Sequence, residues 1–84
     1  MDKMIQKLKE KVIEVNIDGV FLKDAVNEYI ELVCESKSAT VDDIIKQKNI
    51  ISGYLWTLSD ARIISDELKE DILDLCLDMY WKPL

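Results

Sequence analysis

Among side chains that could react or bind a ligand, carboxylates are the ones that this sequence concentrates most strongly. Near the C-terminal end, acidic residues recur at intervals of four, three and four, which places them on one face of a helix. These residues are Glu67, Asp71, Asp74 and Asp78, with Glu70 beside them, and together they are called the acidic row. Like charges at such spacing repel by about 0.2 to 0.5 kcal/mol per pair, and only Lys69 and Lys82 are close in sequence to offset them. The row is either a solvated surface or a face that attracts a basic protein.

Catalytic and metal-binding residues are scarce. The chain has no histidine, the commonest general acid or base and the usual activator of a serine or cysteine nucleophile. Adjacent Asp42 and Asp43 could bind magnesium, but they follow Thr40, and acids in the first turn of a capped helix are explained by the helix dipole. The segment around Asp18 lacks the regular oxygen ligands of a calcium loop. We therefore expect no enzymatic activity, no metal and no cofactor.

The two cysteines, Cys34 and Cys76, both lie in strongly apolar runs. A cysteine in such surroundings behaves as a small hydrophobic residue, so we expect both to pack in the core. A disulfide between them is the alternative, and it depends on geometry that the sequence does not contain. A zinc site would need more thiol or imidazole ligands than the chain supplies.

Apolar periodicity predicts four amphipathic helices, at about residues 2–15, at about 20–35, from a Thr40 cap to an interruption at Ser59 and Asp60, and at about 66–81 after a Ser65 cap. A turn is predicted at Asn16, Asp18 and Gly19. The core line of the third helix is predicted as Val41, Ile44, Ile45, Ile51, Leu55 and Leu58, and Gly53 would allow a close helix contact or a kink. Short connections favour antiparallel neighbours. We expect an all-α fold, a compact small bundle of about four mostly antiparallel helices, as a single domain over residues 1–84.

The last predicted helix carries two apolar lines. The predicted core line is Leu68, Ile72, Leu75 and Met79, and the second line is Leu73, Leu77 and Tyr80, followed by Trp81. A small bundle can bury both lines only if this helix is central; otherwise one line is exposed, as at an interaction site. Tyr and Trp are typical interface anchors, although Leu73 and Leu77 fit the core equally well. Tyr54 and Trp56 present the same two alternatives.

Overall composition restricts the class of protein. With 49% apolar and 33% charged residues among 84, the chain is too hydrophobic to be disordered and too interrupted by charge for a membrane protein. The N-terminal segment has no apolar run of the signal-peptide kind, so we expect a cytoplasmic protein. A net charge of −6, with the acids concentrated towards the C-terminus, opposes direct nucleic-acid binding, including by a helix-turn-helix.

These observations lead to two hypotheses. The first is a small acidic non-enzymatic protein-binding protein, an inhibitor, immunity- or antitoxin-like protein or regulator, that docks on a basic and possibly nucleic-acid-handling protein. The alternative is a self-associating assembly module that forms a homodimer through its last helix. The predicted partner-binding residues are Glu67, Glu70, Asp71, Asp74, Asp78, Leu73, Leu77, Tyr80 and Trp81.

Overall fold

Four helices account for most of the residues that the structure, a computed structural model, describes. Those residues are 2–15, 21–34 and 38–81, and the side chains of Asp2 and Trp81 lie outside the description. The helices are α1 (Asp2–Val15), α2 (Phe21–Cys34), α3 (Val41–Asp60) and α4 (Asp66–Trp81). The predicted helices are confirmed, but the interruption predicted at Ser59 and Asp60 is wrong, because α3 continues through Asp60. The turn predicted at Asn16, Asp18 and Gly19 lies outside the described residues.

Both predicted caps stabilise helix starts. The Thr40 hydroxyl accepts a hydrogen bond from the Asp43 backbone N–H at 3.1 Å, and the Asp43 carboxylate accepts one from the Thr40 backbone N–H at 3.2 Å. This reciprocal pair is a capping box. At α4, the Ser65 hydroxyl accepts a hydrogen bond from the Leu68 backbone N–H at 3.0 Å. Each cap contributes about 1 kcal/mol.

The turn between α3 and α4 is closed by hydrogen bonds. The Arg62 N–H donates to the Ser59 carbonyl at 3.0 Å and the Ile63 N–H donates to the Leu58 carbonyl at 2.9 Å. This is the Schellman pattern, with Arg62 at φ 61° in the position that favours glycine. The Ser59 hydroxyl also donates to the Asp66 carboxylate, so the end of α3 is bonded directly to the start of α4.

The helices form a closed ring in which α1 packs on α2, α2 on α3, α3 on α4 and α4 on α1. The Phe21 ring, at the start of α2, lies 4.8 Å from the Tyr54 ring, late in α3. The Gln47 amide, early in α3, donates to the Ala25 carbonyl at 2.9 Å. Residue numbers thus rise along α2 as they fall along α3, which makes the two helices antiparallel. The all-α bundle predicted from the sequence is confirmed.

The core lies inside this ring. Its buried apolar residues are Leu8, Val12, Val15, Leu22, Ala25, Val26, Tyr29, Ile30, Ile51, Leu55, Leu58, Ile64, Ile72, Cys76 and Met79. Tyr29 crosses the centre, where its hydroxyl donates to the Cys76 backbone carbonyl at 2.6 Å and links α2 to α4. Burial raises the pKa of the Tyr29 hydroxyl above its ordinary value and raises the pKa of the Cys76 thiol to about 12.

Several predicted core positions are corrected by the structure. Cys76 is buried as expected, but Cys34 is exposed at the end of α2, and no disulfide joins the two. Val41 and Ile45 are 56% and 41% exposed, because they lie on the side of α3 beyond its contact with the core. Gly53 lies inside the continuous helix α3 and makes no close helix contact, since a Cβ added there would meet nothing within 4 Å.

The core-facing side of α4 also differs from the prediction. Ile72 and Met79 are fully buried as expected, whereas Leu68 and Leu75 are only half-buried. Cys76 and the stem of Lys69 complete the buried face in their place. The buried face of α4 is therefore centred about 50° from the predicted line, at about 100° per residue, on the side that carries Lys69 and Cys76.

Candidate protein-binding surface

The acidic row lies along the side of α4 away from the core. Glu67, Glu70, Asp74 and Asp78 are exposed, and these four are called the exposed acids. Asp71 is half-buried at the edge that faces α1. The structure therefore brings all five predicted carboxylates onto one face, as helical spacing requires.

Asp71 differs from the rest of the row because it has a cationic partner. The Lys11 ammonium on α1 lies 3.5 Å from the Asp71 carboxylate and 3.5 Å from Glu14. The pKa of Lys11 is raised, by Glu14 first and by Asp71 second. These side chains are between 36% and 56% exposed, so solvent screens the pair and its contribution to stability is small. Asp71 is consequently the member of the row least able to serve an external partner.

Lys69 does not neutralise the acidic row, contrary to the sequence-based expectation. Its side chain is 5% exposed, and its ammonium lies 3.5 Å from the centroid of the Trp56 ring and 4.0 Å from the Asp66 carboxylate. This is a cation–π contact that joins α4 to α3. Lys82, the other candidate cation, lies outside the described residues.

The exposed acids form no ion pair with any described residue. On one side, Asp74 and Asp78 line a cleft between α1 and α4 that also contains Lys7 and Lys11, so their field is partly offset there. On the other side, towards α3, Lys48 is half-buried and forms no ion pair with the row. Clustered carboxylates of this kind raise the local concentration of cationic groups and speed their encounter with the surface.

An apolar groove runs between α3 and α4 next to the exposed acids. Part of it has a volume of about 380 Å³ and is lined by Ile44, Ile45, Lys48, Leu77 and Tyr80. Ile45 and Leu77 are each 41% exposed, and Tyr80 is half-buried. The groove has room for side chains of another molecule, and burial of its apolar walls would stabilise a complex by about 25 cal/mol per Å².

The second apolar line of α4 is divided between core and surface. Leu73 is half-buried and packs against the core, whereas Leu77 is exposed in the groove. Trp81 is the last residue of α4, and its side chain lies outside the described residues. The predicted site is thus brought together only in part, with Leu77 and Tyr80 adjoining the exposed acids.

The sequence predicts Val41 and Ile45 as core residues and leaves Trp56 open between core and interface. Val41, Ile45 and Trp56 recur at intervals of four and eleven, which are close to whole turns of a helix. They form a line distinct from the residues of α3 that pack in the core, which are Ile44, Ile51, Tyr54, Leu55 and Leu58. This second apolar line on α3, matching the one recognised on α4, was the available signal. Two neighbouring helices with surplus apolar lines indicate a shared exposed groove.

Comparison with protein families, with curated proteins and with solved structures finds no match to this chain. None of the described helices combines the length and apolar character needed to cross a membrane. Within the same residues, no three thiol or carboxylate side chains are grouped so as to hold a metal ion. The features that bear on function are therefore those of the surface itself.

Proposed function

We propose that this protein is a non-enzymatic, cytoplasmic protein-binding protein that acts as an inhibitor or regulator by docking on a basic surface of another protein. The observation that supports this is the position of exposed Leu77 beside exposed Asp74 on α4, with exposed Asp78 one turn further along the same acidic row. An apolar anchor bordered by charge is the usual anatomy of a protein interface. A reducing compartment fits a protein whose two cysteines are not joined.

The two parts of this surface have different roles in the proposal. Apolar contact in the groove provides affinity, because it removes Ile45 and Leu77 from water. The exposed acids provide selectivity and rapid encounter, because they attract cationic surfaces and repel acidic ones. A nucleic-acid-handling protein is a suitable target, since a surface that binds phosphates also complements clustered carboxylates.

A pair of charge reversals tests this proposal. The variant Asp74→Lys/Asp78→Lys reverses two exposed acids and leaves the Lys11–Asp71 ion pair in place. The variant Glu28→Lys/Glu31→Lys is a matched control, because it makes the same charge change at two exposed acids of α2. Both should retain the circular dichroism spectrum of the original protein.

The assay is affinity capture from native extract followed by measurement of the dissociation constant with the purified partner. We expect a basic protein to bind the original chain and the α2 control, and to bind the α4 variant at least about tenfold more weakly, a difference of about 1.4 kcal/mol. Affinity should also fall as salt is raised. Equal binding by all three proteins would contradict the proposal, and equal loss in both variants would show that only net charge matters.

The exposure of Leu77 also favours the alternative, a homodimer formed through α4. Leu73 packs against the core, so its replacement would test folding rather than association. Leu77→Lys is the appropriate variant. A dimer of the original chain in sedimentation equilibrium that becomes a folded monomer in this variant would support self-association, whereas a monomer in both would eliminate it.

A further inference from the structure

Exposed apolar side chains of α3 continue the line of the groove beyond the part lined by Leu77 and Tyr80. Ile45 lines the groove and the Trp56 ring lies against Lys69 of α4, while helical spacing places Val41 one turn before Ile45 on the same side of α3. Val41 is 56% exposed, Ile45 41% and Trp56 51%. From Ile45 to Trp56 this wall is about 16 Å long, at about 1.5 Å per residue.

The opposite wall belongs to α4, which runs antiparallel to α3. Tyr80 and Leu77 share the groove with Ile45, and at the other end Lys69 lies against the Trp56 ring. Lys69 is almost fully buried, so the exposed group at that end is the indole. Each end of the groove therefore presents an exposed apolar side chain.

The middle of the groove is more polar than its ends. On the α3 line, the residues between Ile45 and Trp56 are Lys48 and Ser52, and both are half-buried. Serine has a short side chain, and the stem of a half-buried lysine contributes methylene groups while its ammonium turns towards water. On α4, Leu73 is half-buried and packs against the core. The groove thus has two apolar ends joined by a section with one cation and one hydroxyl.

The two edges of the groove differ in charge. On a helical wheel of α4, Glu70 lies about 20° and Asp74 about 60° from Leu77, on the side away from α3, at about 100° per residue. Both carboxylates are exposed. Along the middle of α3, the exposed residues just outside the groove are Asn49 and Gly53, which carry no charge. A ligand seated at the middle of the groove would thus meet carboxylates on the α4 side only.

We infer that this groove binds one amphipathic helix of a partner protein, with basic residues along the flank that faces α4. The inference rests on the proposed function and specifies the form of its partner. A channel of about 16 Å between two helices matches about three turns of a third helix, whose apolar residues would enter the two ends. Lysines or arginines at intervals of three or four on one flank would pair with Glu70 and Asp74. At the middle of its apolar face the partner would carry a hydrogen-bond acceptor for Lys48 and Ser52.

The test uses three synthetic helical peptides of about 16 residues, enough for three turns with a margin at each end. The first carries leucines at both ends of one face, a glutamine at the middle of that face and lysines on one adjoining flank. The second replaces the lysines with glutamates, and the third keeps the lysines and replaces the leucines with serines. Binding to the intact protein is measured by isothermal titration calorimetry.

A matched pair of protein variants locates the binding surface. Ile45→Lys places a charge in the groove, and Ile13→Lys makes the same change at a position of α1 that is 71% exposed. We expect the leucine–lysine peptide to bind the original chain and the Ile13→Lys variant alike. Binding to Ile45→Lys, and binding of either altered peptide, should be weaker by about tenfold or more. Unchanged thermal unfolding of Ile45→Lys would confirm that its fold is intact.

Other outcomes overturn the inference in distinguishable ways. Equal binding of the lysine and glutamate peptides would mean that the acidic edge does not discriminate between basic and acidic ligands. Equal binding of Ile45→Lys and the original chain would place the peptide elsewhere. A dimer of the original chain that Ile45→Lys dissociates would show that a second copy occupies the groove. Capture of a basic protein that depends on Asp74 and Asp78 but not on Ile45 would overturn the inference and leave the proposed function standing.

Discussion

Tyr29→Phe is the most informative change for the stability of the bundle. The Tyr29 side chain is 0% exposed, and its hydroxyl donates to the Cys76 carbonyl at 2.6 Å. The substitution keeps the ring in the core and removes only the donor, while the carbonyl retains the bonding of a residue inside a helix. We therefore expect the free energy of unfolding to fall by about 1 kcal/mol at neutral pH. For a chain of this length, that is about 6 °C in Tm.

The same variant should alter the alkaline limb of the stability curve. Burial raises the pKa of Tyr29 above its ordinary value of 10.0 and raises the pKa of Cys76 from 9.0 to about 12. As pH rises past the ordinary pKa values, which apply to the unfolded chain, the unfolded chain loses protons that the folded protein keeps. The free energy of unfolding is therefore highest below about pH 9 and declines above it. Each group lowers stability by about 1.4 kcal/mol per pH unit in that window, and Tyr29→Phe removes one of the two slopes.

Urea unfolding of both proteins at pH 7 and pH 11 measures this effect. The disadvantage of Tyr29→Phe should shrink from about 1 kcal/mol at neutral pH to near zero at pH 11, because the original chain loses about 1.4 kcal/mol through Tyr29 between pH 10 and pH 11. The other tyrosines and the lysines are common to both proteins and cancel in the difference. A difference that stays constant with pH would refute the assignment of a buried, hydrogen-bonded hydroxyl.

Two backbone substitutions should stabilise the protein, and urea unfolding at pH 7 measures both. Gly53→Ala should raise the free energy of unfolding by about 0.5 to 1 kcal/mol, because the added methyl meets nothing and the unfolded chain loses conformational freedom. A lower free energy of unfolding would mean that the backbone at this position requires glycine. Arg62→Gly should add about 0.5 kcal/mol, because relief of the left-handed backbone at φ 61° exceeds the entropy of the extra glycine. A decrease on this change would indicate that the Arg62 side chain stabilises the turn.

Helix positions could be predicted from the sequence because the signals are local. The Thr40 and Ser65 hydroxyls each bond to a backbone N–H three residues ahead, so the cap and its helix are contained in one short stretch. The buried residues of α1, Leu8, Val12 and Val15, likewise recur at helical spacing in one short stretch. Such features depend little on which helices become neighbours.

The candidate surface depended on contacts between residues that are distant in sequence. Val41 and Ile45 fit helical periodicity as well as any core residue. They stay exposed because of how α3 packs against its neighbouring helices. From the sequence Lys69 is expected to be a solvated charge, yet its stem is buried and its ammonium contacts the Trp56 ring. The partner of Asp71 is on α1, far away in sequence, so the pairing requires the order of helices around the ring.

The turn that joins α3 to α4 has a consequence for the kind of partner this protein can accept. Its backbone hydrogen bonds and the bond from Ser59 to Asp66 fix both walls of the groove relative to each other in the unbound protein. The receptor side is therefore preorganised, and the entropy lost on association falls mainly on the ligand. A flexible tail would lose more of it than a segment already held as a helix in its own folded protein. The proposed docking is therefore better suited to a surface helix on a folded partner than to an unstructured peptide.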